Sequence, residues 1–271
     1  MEDTTNIDEQ SMNTNWNRTA SDYARHRRGF PPTLFARLEH RGWIPRSKAR
    51  TVDLGTGTGA VALALAERGH EVVGVDVAEA PLAEAALKPG GMGVSWRCAA
   101  AEDTALPAGQ ADVVMAGQCW HWFDRAGAAA EVMRLLRPAG DVVIAHLDWL
   151  PRPGNVVEAT VDVLERHGAR PPAFMVLQTR SFYPHWPDDL LDAGFVDVET
   201  FSFDVALPYS RDAWRGRVRA SAWLGASRLD DEVRRTDAAL AKMLDGLDED
   251  LVVPHRIFVV HGRKPSSQGA A

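Results

Sequence analysis

The residues best placed to do chemistry lie in T-V-D-L-G-T-G-T-G-A, residues 51–60, where Asp53 stands two places before Gly55, Gly57 and Gly59. Glycine takes positive φ without a Cβ penalty and lets a ligand lie directly against the backbone. A short apolar strand precedes this turn, and an Ala/Leu-rich helix, Ala60–Arg68, follows it. Strand, glycine turn and helix together describe a nucleotide-type site at the carboxyl end of the first strand of an open α/β sheet. Asp76 ends the next apolar segment, V-V-G-V-D, where an acid holds ribose hydroxyls. Gly55-x-Gly57-x-x-Ala60 also satisfies the dinucleotide fingerprint, so the glycines alone do not choose the cofactor.

A second set of candidates follows the later strands. In W-H-W-F-D, residues 120–124, His121 is the leading base or acceptor-orienting group, because imidazole titrates near neutrality. The plainer reading is a histidine that only holds its loop. Trp122 packs beside the cofactor or borders substrate, and Asp124 is expected to cap the helix Arg125–Leu136. His146, Asp148 and Trp149 follow strand five; His255 and Arg256 lie in the last strand; Tyr183, His185 and Trp186 could roof an acceptor pocket. Among these, His146, Trp149, His185 and His255 are candidate substrate residues. Arg211, Arg215 and Arg219 repeat every four residues and share one helix face. They form either a solvated face or a basic wall for an anionic acceptor, with Arg219 as the candidate substrate ligand.

These residues need a frame. Strands are expected at Thr51–Leu54, Glu71–Asp76, Gly93–Cys98, Ala111–Ala116 and Asp141–His146, with helices between them at 60–68, 79–87 and 125–136. Strands apolar throughout suit a parallel sheet covered on both faces, with right-handed crossovers. Residues 1–15 read as a disordered tail, Asn17–Arg28 and Thr33–Arg41 as short helices. After Leu150, Asn155 caps a helix to about His167, residues 168–186 are irregular and Pro-rich, and Trp186–Ala193 is helical with Gly194 ending it. Phe195–Val205 and Val252–Gly262 are the closing strands, flanking helices at Ser210–Ser227 and Asp230–Leu247; residues 263–271 are a polar tail. The fold class is α/β: a Rossmann-like, seven-stranded, mostly parallel sheet with helices on both faces and a helical cap. One domain spans 16–262, with cap helices at 16–48, a cofactor-binding core at 49–149, and lid inserts at 150–193 and 206–250.

Bulk properties narrow the partners. A net charge of −7 over 271 residues lacks the basic footprint that nucleic acid requires. No apolar run approaches the roughly 18–20 residues that span a bilayer, so no membrane partner is expected. The acidic, polar N-terminus is neither a signal nor a transit peptide, and a cytoplasmic location is expected. Cys98 and Cys119 lack the spacing of a zinc site and are expected as reduced, buried thiols.

Taken together, D-L-G-T-G-T-G (53–59), V-V-G-V-D (72–76), A-E-D (101–103) with A-D-V-V (111–114), Q-C-W-H-W-F-D (118–124), L-L-R-P-A-G (135–140) and Y-A-R-H-R-R-G-F-P-P (23–32) are specific. Over residues 16–262 the chain resembles a class I SAM-dependent methyltransferase, of the small-molecule branch similar to trans-aconitate methyltransferase. The resemblance implies S-adenosyl-L-methionine as cofactor and S-adenosyl-L-homocysteine as product. It implies that Gly55, Gly57 and Gly59 let the backbone approach the methionine and ribose parts, and that Asp53 orients the turn or accepts the amino group through water. It puts Asp76 on both ribose hydroxyls with Val77 beside it, Ala101 and Glu102 at the adenine edge, and Gln118 on the cofactor floor. Tyr23 and Arg27 would close over the methionine carboxylate, although Arg28 stands where that motif usually has proline. Ala100 replaces an acid common beside adenine, leaving that work to Glu102.

The activity so implied is methyl transfer to O or N of a small molecule by a monomer or homodimer. The Ala- and Arg-rich, Lys-poor composition fits a bacterial natural-product enzyme. Two alternatives remain: a protein of this fold that binds SAM without transferring methyl, for example while promoting a cyclisation, and an NAD-type oxidoreductase. L-L-R-P-A-G and H-W-F-D count against the second.

Overall fold

The computed structural model describes residues 25–26, 29–169, 181–225 and 228–266. Tyr23, Arg27, most of the helix expected at 17–28, the expected tail at 1–15 and residues 267–271 lie outside the described residues, while the expected tail at 263–271 starts too early, since the last strand runs to Arg263 and the Lys264 N–H donates to Gly140 O at 2.9 Å. The chain sorts into two compact units. A core unit comprises Gly29–Leu147, Tyr183–Ser202 and Ile257–Ala271, and an insert unit comprises Met1–Arg28, Asp148–Phe182 and Phe203–Arg256.

In the core unit, helix α1 (Pro32–His40) starts with proline in its first turn and buries Leu34, Phe35 and Leu38. Proline suits that position because its missing N–H has no helical partner there. The alternation then runs β1 (Arg50–Leu54), α2 (Ala60–Ala66), β2 (Glu71–Asp76), α3 (Glu79–Leu87), β3 (Ser95–Cys98), β4 (Ala111–Gly117), α4 (Arg125–Leu135) and β5 (Leu136–Trp149). Helix α6 (Trp186–Asp192) precedes β6 (Val196–Ser210), and β7 (Asp250–Arg263) comes last. Seven strands form one sheet in the order β3-β2-β1-β4-β5-β7-β6. The pairs β1–β2, β1–β4, β2–β3 and β4–β5 are parallel, with Val52 opposite both Val73 and Val114. The strand order reverses between β1 and β4. Open α/β sheets bind ligands outside the carboxyl ends of strands at such a switch point.

The core beneath that edge is built from Leu54, Val75, Val114, Trp120, Val132 and Ile144, all buried. β1 and β4 are buried along nearly their whole length, as strands covered on both faces must be. In the insert unit, α5 (Val156–Arg166), α7 (Arg211–Arg219) and α8 (Asp230–Leu244) pack by their apolar stripes, burying Val163, Trp214, Val218 and Leu240. Asn155 caps α5, its side chain accepting the Glu158 N–H at 2.8 Å, and Ser210 caps α7 on the Ala213 N–H at 3.1 Å.

Several element limits differ from the sequence reading. α7 stops at Arg219 rather than running to Ser227. β5 begins at Leu136, ahead of the expected Asp141, with a register shift against β4 between Ala111 and Val113. Asp124 occupies the N-cap position of α4, but its side chain makes no capping bond. Of the two thiols, Cys119 is buried and Cys98 is exposed, because β3 is an edge strand.

Candidate active site

The three glycines of the turn all adopt left-handed backbone, φ +61° at Gly55, +53° at Gly57 and +81° at Gly59. Their surroundings differ. A Cβ on Gly55 would lie 2.7 Å from Cys119 Cβ, and one on Gly59 would lie 2.8 Å from Trp96 Cη2. A Cβ on Gly57 would meet nothing within 4 Å among the described residues. Gly55 and Gly59 are therefore small because protein packs on them, whereas Gly57 leaves a cradle of backbone that no described residue fills. That cradle fits a ligand lying directly against the chain.

Asp76 closes the cradle from β2. Its Oδ2 accepts the Gly57 N–H at 2.8 Å and its Oδ1 accepts the Ala78 N–H at 3.0 Å. The turn is thus tied to the acid on which the sequence reading relied, and each carboxylate oxygen keeps a lone pair for a second donor. Val77, next in the chain, is 69% exposed, an apolar surface beside that acid.

Asp53 does different work. It is buried, and its Oδ2 accepts both the Thr56 hydroxyl at 2.6 Å and the Ala62 N–H at 3.0 Å. Gly59 is the N-cap of α2 and has no side chain to cap with, so Asp53 supplies the oxygen from β1. Burial pushes its carboxyl up to about 7, against the opposing pull of those two hydrogen bonds. A raised folded-state pKa means stability that is complete below the unfolded value near 3.8 and lost as pH rises through about 7. Asp53→Asn keeps an acceptor and removes the titration. The wild-type minus variant difference in Tm is therefore expected to fall as pH goes from 4 to 8, by up to about 4 kcal/mol in stability. A difference flat across that range in thermal melts would refute this assignment.

Past β3, Ala101 is buried and Glu102 is partly exposed; Glu102 Oε1 accepts the Asp124 N–H at 2.9 Å. Glu102 therefore binds the α4 N-terminus in place of the expected Asp124 cap. Their loop is pinned from below, where Glu131 accepts the Thr104 N–H at 3.0 Å and pairs with Arg134 at 2.6 Å. The Arg134 hydrogen bond leads the causes that pull the Glu131 carboxyl down to about 2. After β4, Gln118 takes φ +66°, rare for a side-chain-bearing residue, and its N–H donates to Ala145 O at 2.8 Å.

The structure brings His121, Trp122 and His146 together. The His121 ring lies 4.8 Å from Trp122 and 5.0 Å, edge to face, from His146. Trp186 is parallel to His121 at 6.5 Å and stacks on Tyr183 at 3.9 Å, so α6 supplies the wall of this imidazole pair. His185 heads the same helix and is exposed.

Trp149, Arg219 and His255 belong to the insert unit. Arg219 and Arg215 both bind Asp237 of α8, at 2.9 and 2.5 Å, and Arg211 reaches the backbone oxygens of Leu247 and Asp248. The four-residue arginine repeat thus ties α7 to its neighbours. The sequence reading missed Arg217, whose guanidinium lies 5.1 Å from the centre of the Trp149 ring. Its signal was present: it sits three residues after the buried Trp214, on the apolar side of α7. His255 is buried, and desolvation pushes its imidazole down to about 4. It is neutral at physiological pH.

The glycine cradle at the β1/β4 switch, the acid ending β2 and the sheet order are those of a Rossmann-like nucleotide-site fold, and the comparisons support a SAM-dependent methyltransferase. Residues 52–144 match the methyltransferase domain family. An uncharacterised methyltransferase of Mycobacterium tuberculosis is 28% identical over 213 residues, covering 73% of this chain and 81% of that one. A protein of Anaeromyxobacter dehalogenans assigned as a type II methyltransferase superimposes with a TM-score of 0.66 at 26% identity, covering 89% of this chain and 99% of that one. The fold is shared by the Haemonchus contortus phosphoethanolamine N-methyltransferase 2, solved with phosphomonomethylethanolamine and S-adenosylhomocysteine (TM-score 0.53, 18% identity, covering 93% of this chain and 57% of that one). Among the described residues, no helix is long and apolar enough to cross a membrane.

Proposed function

We propose that this enzyme transfers the methyl group of SAM to an oxygen or nitrogen of a small molecule, in the manner of the trans-aconitate methyltransferase-like branch. The open backbone at Gly57, bonded to Asp76, carries the proposal, since it is the one glycine of the turn that no described protein atom requires. In this reading Gly55, Gly57 and Gly59 shape the bed for the methionine and ribose parts, and Asp76 holds the ribose. Val77, Ala101 and Glu102 border adenine, Gln118 floors the site, and Tyr23 and Arg27 contact the carboxylate. The bound sulfonium supplies an already activated methyl group, so the chain's own task is alignment and the exclusion of water. Alignment of reacting groups removes roughly 7–11 kcal/mol of barrier.

His121 is the proposed base. It takes the proton that a hydroxyl or ammonium acceptor must lose, and His146 and Trp186 hold its ring. Acceptor recognition is assigned in this reading to the inserts at 150–193 and 206–250. The setting proposed is bacterial secondary metabolism in the cytoplasm.

Two measurements test this. Isothermal titration should show SAM binding and no NAD binding, and a panel of carboxylates, phenols and amines should reveal an acceptor that releases S-adenosylhomocysteine in step with methylated product. For an acceptor with a labile proton, His121→Ala is expected to lower kcat by about 100-fold or more, the usual scale of general-base catalysis, with SAM affinity little changed. An unchanged pH–rate profile in that variant would assign His121 to the loop rather than to the chemistry.

A further inference from the structure

The connector after α3, K-P-G-G-M-G at residues 88–93, has no part in the site as described, yet it meets the glycine turn. Lys88 Nζ donates to the Thr58 carbonyl at 2.8 Å. The aim of that side chain is built locally. Proline disfavours helical backbone in the residue before it, and Lys88, ahead of Pro89, leaves α3 extended at φ −70° and ψ 156°. Its own N–H donates to Ala85 O at 3.2 Å, and its carbonyl accepts the Gly91 N–H at 2.8 Å. A Cβ on Gly91 would lie 2.3 Å from Ala85 O, so only glycine closes the loop this tightly. Gly91 O in turn accepts the Trp96 Nε1–H at 3.0 Å, and the Trp96 ring packs against Gly59 and Gly74.

The peptide unit between Thr58 and Gly59 is thereby held at both ends. Lys88 binds its carbonyl, and its N–H donates to Thr56 O at 2.9 Å. This peptide needs holding, because Gly57 and Gly59 flank Thr58 at φ +53° and +81° and glycine has many other conformations of similar energy. Asp76 fixes the Gly57 N–H from β2, and Lys88 fixes the next carbonyl from the end of α3, all within the core unit. Half-burial presses the Lys88 amine below its usual range, with Glu84 opposing, so the ammonium bears a desolvation cost that its bond to Thr58 offsets. We propose that Lys88 is a positioning residue for the cofactor: by fixing the Thr58–Gly59 peptide it holds the Gly57 backbone in the shape that receives the methionine and ribose parts of SAM. It acts through the turn rather than on the ligand. A turn ordered before binding removes that ordering cost from the complex.

The inference rests on the methyltransferase reading, and its test has a readout that needs no cofactor. Amide hydrogen exchange in the full-length chain reads the turn directly. Without SAM, the Gly59 N–H should exchange about tenfold faster in Lys88→Met than in the wild type, as expected for loss of one local restraint. The Gly109 N–H, which donates to Arg134 O at 2.9 Å just before β4, should keep its wild-type rate. Isothermal titration of Lys88→Met with SAM should show a Kd raised about tenfold, the scale of one hydrogen bond. Lys88→Arg keeps a charged donor and should bring both readouts to within about threefold of the wild type, with the neutral, shorter Lys88→Gln in between. A lysine serving stability alone would lower Tm and leave Kd unchanged. Wild-type SAM affinity in Lys88→Met, unchanged exchange at Gly59, equal acceleration at Gly59 and Gly109, or a Lys88→Arg variant no better than Lys88→Met would each overturn the proposal. If Lys88→Met fails to fold, Lys88→Gln against Lys88→Arg makes the same comparison. Failure of the wild-type chain to bind SAM would instead overturn the methyltransferase reading, and exchange at Gly59 would still report on Lys88.

Discussion

Replacing Asp76 by alanine is expected to weaken SAM binding by about 100-fold while the chain still folds. Hydrogen bonds to charged groups contribute about 1.5–3 kcal/mol each, and in the proposed complex two ribose hydroxyls donate to this carboxylate. Loss of both at the low end of that range is about 3 kcal/mol, or about two orders of magnitude in Kd. A second effect acts in the same direction. The carboxylate also fixes the Gly57 and Ala78 N–H groups, so its removal frees the turn that the cofactor lies on. Asp76→Asn keeps one oxygen and is expected to lose about tenfold, which is one charge-assisted bond. Asp76 is partly exposed and lies outside the apolar core, so far-UV circular dichroism should be unchanged, while loss of its bonds to the Gly57 and Ala78 N–H groups should lower Tm. Wild-type affinity in Asp76→Ala, measured by isothermal titration, would remove the acid at the end of β2 from the site altogether.

The parts of this fold that are legible in the sequence are those set by local pattern. T-V-D-L and V-V-G-V-D read as strands because a doubly covered strand is a continuous apolar run, and α3 matches its expected limits, Glu79–Leu87. The long closing strands were harder. β5 and β6 each contain a proline outside the expected limits, at positions 138 and 208, and proline reads as an end of strand because it cannot donate to the ladder, whereas β7 is expected across Pro254 and is extended only to Asp250–Arg263. In β7 the carbonyl of Pro254 still accepts the Leu150 N–H at 3.0 Å, so pairing continues through a residue that lacks an N–H.

The site shows the same division. Spacing located the glycine turn and Asp76, but only tertiary structure separates the three glycines by what lies against them. Asp53 reads from sequence either as orienting the turn or as accepting the amino group through water, and the structure buries it as the remote cap of α2, a role that depends on Gly59 having no side chain. The arginines of α7 are the sharpest case. Four-residue periodicity selects Arg211, Arg215 and Arg219, and it is blind to Asp237 on another helix, which binds two of them. Arg217, outside that periodicity, is the one placed on an aromatic face.

The division among the glycines leads to the second large expected effect, a reversal between binding and stability along one turn. Gly55→Ala puts a methyl group 2.7 Å from Cys119 Cβ in left-handed backbone, and Gly59→Ala puts one 2.8 Å from Trp96 and 3.1 Å from Ala85. Overpacking costs about 1–3 kcal/mol and the left-handed conformation about 1–2 kcal/mol for a residue with a Cβ. Each of these variants should therefore lose about 2–5 kcal/mol of stability, or roughly 4–20 °C in Tm for a chain of this size. Gly57→Ala meets no atom of the described residues, so only the conformational cost of about 1–2 kcal/mol applies and Tm should fall by roughly 2–8 °C. Its methyl group instead occupies the space where the backbone faces the proposed cofactor, and SAM affinity should drop by more than about tenfold. Melting curves and isothermal titration on the three variants would thus rank them in opposite orders. If Gly57→Ala bound SAM as tightly as the wild type, the open side of the turn would not be where the cofactor lies.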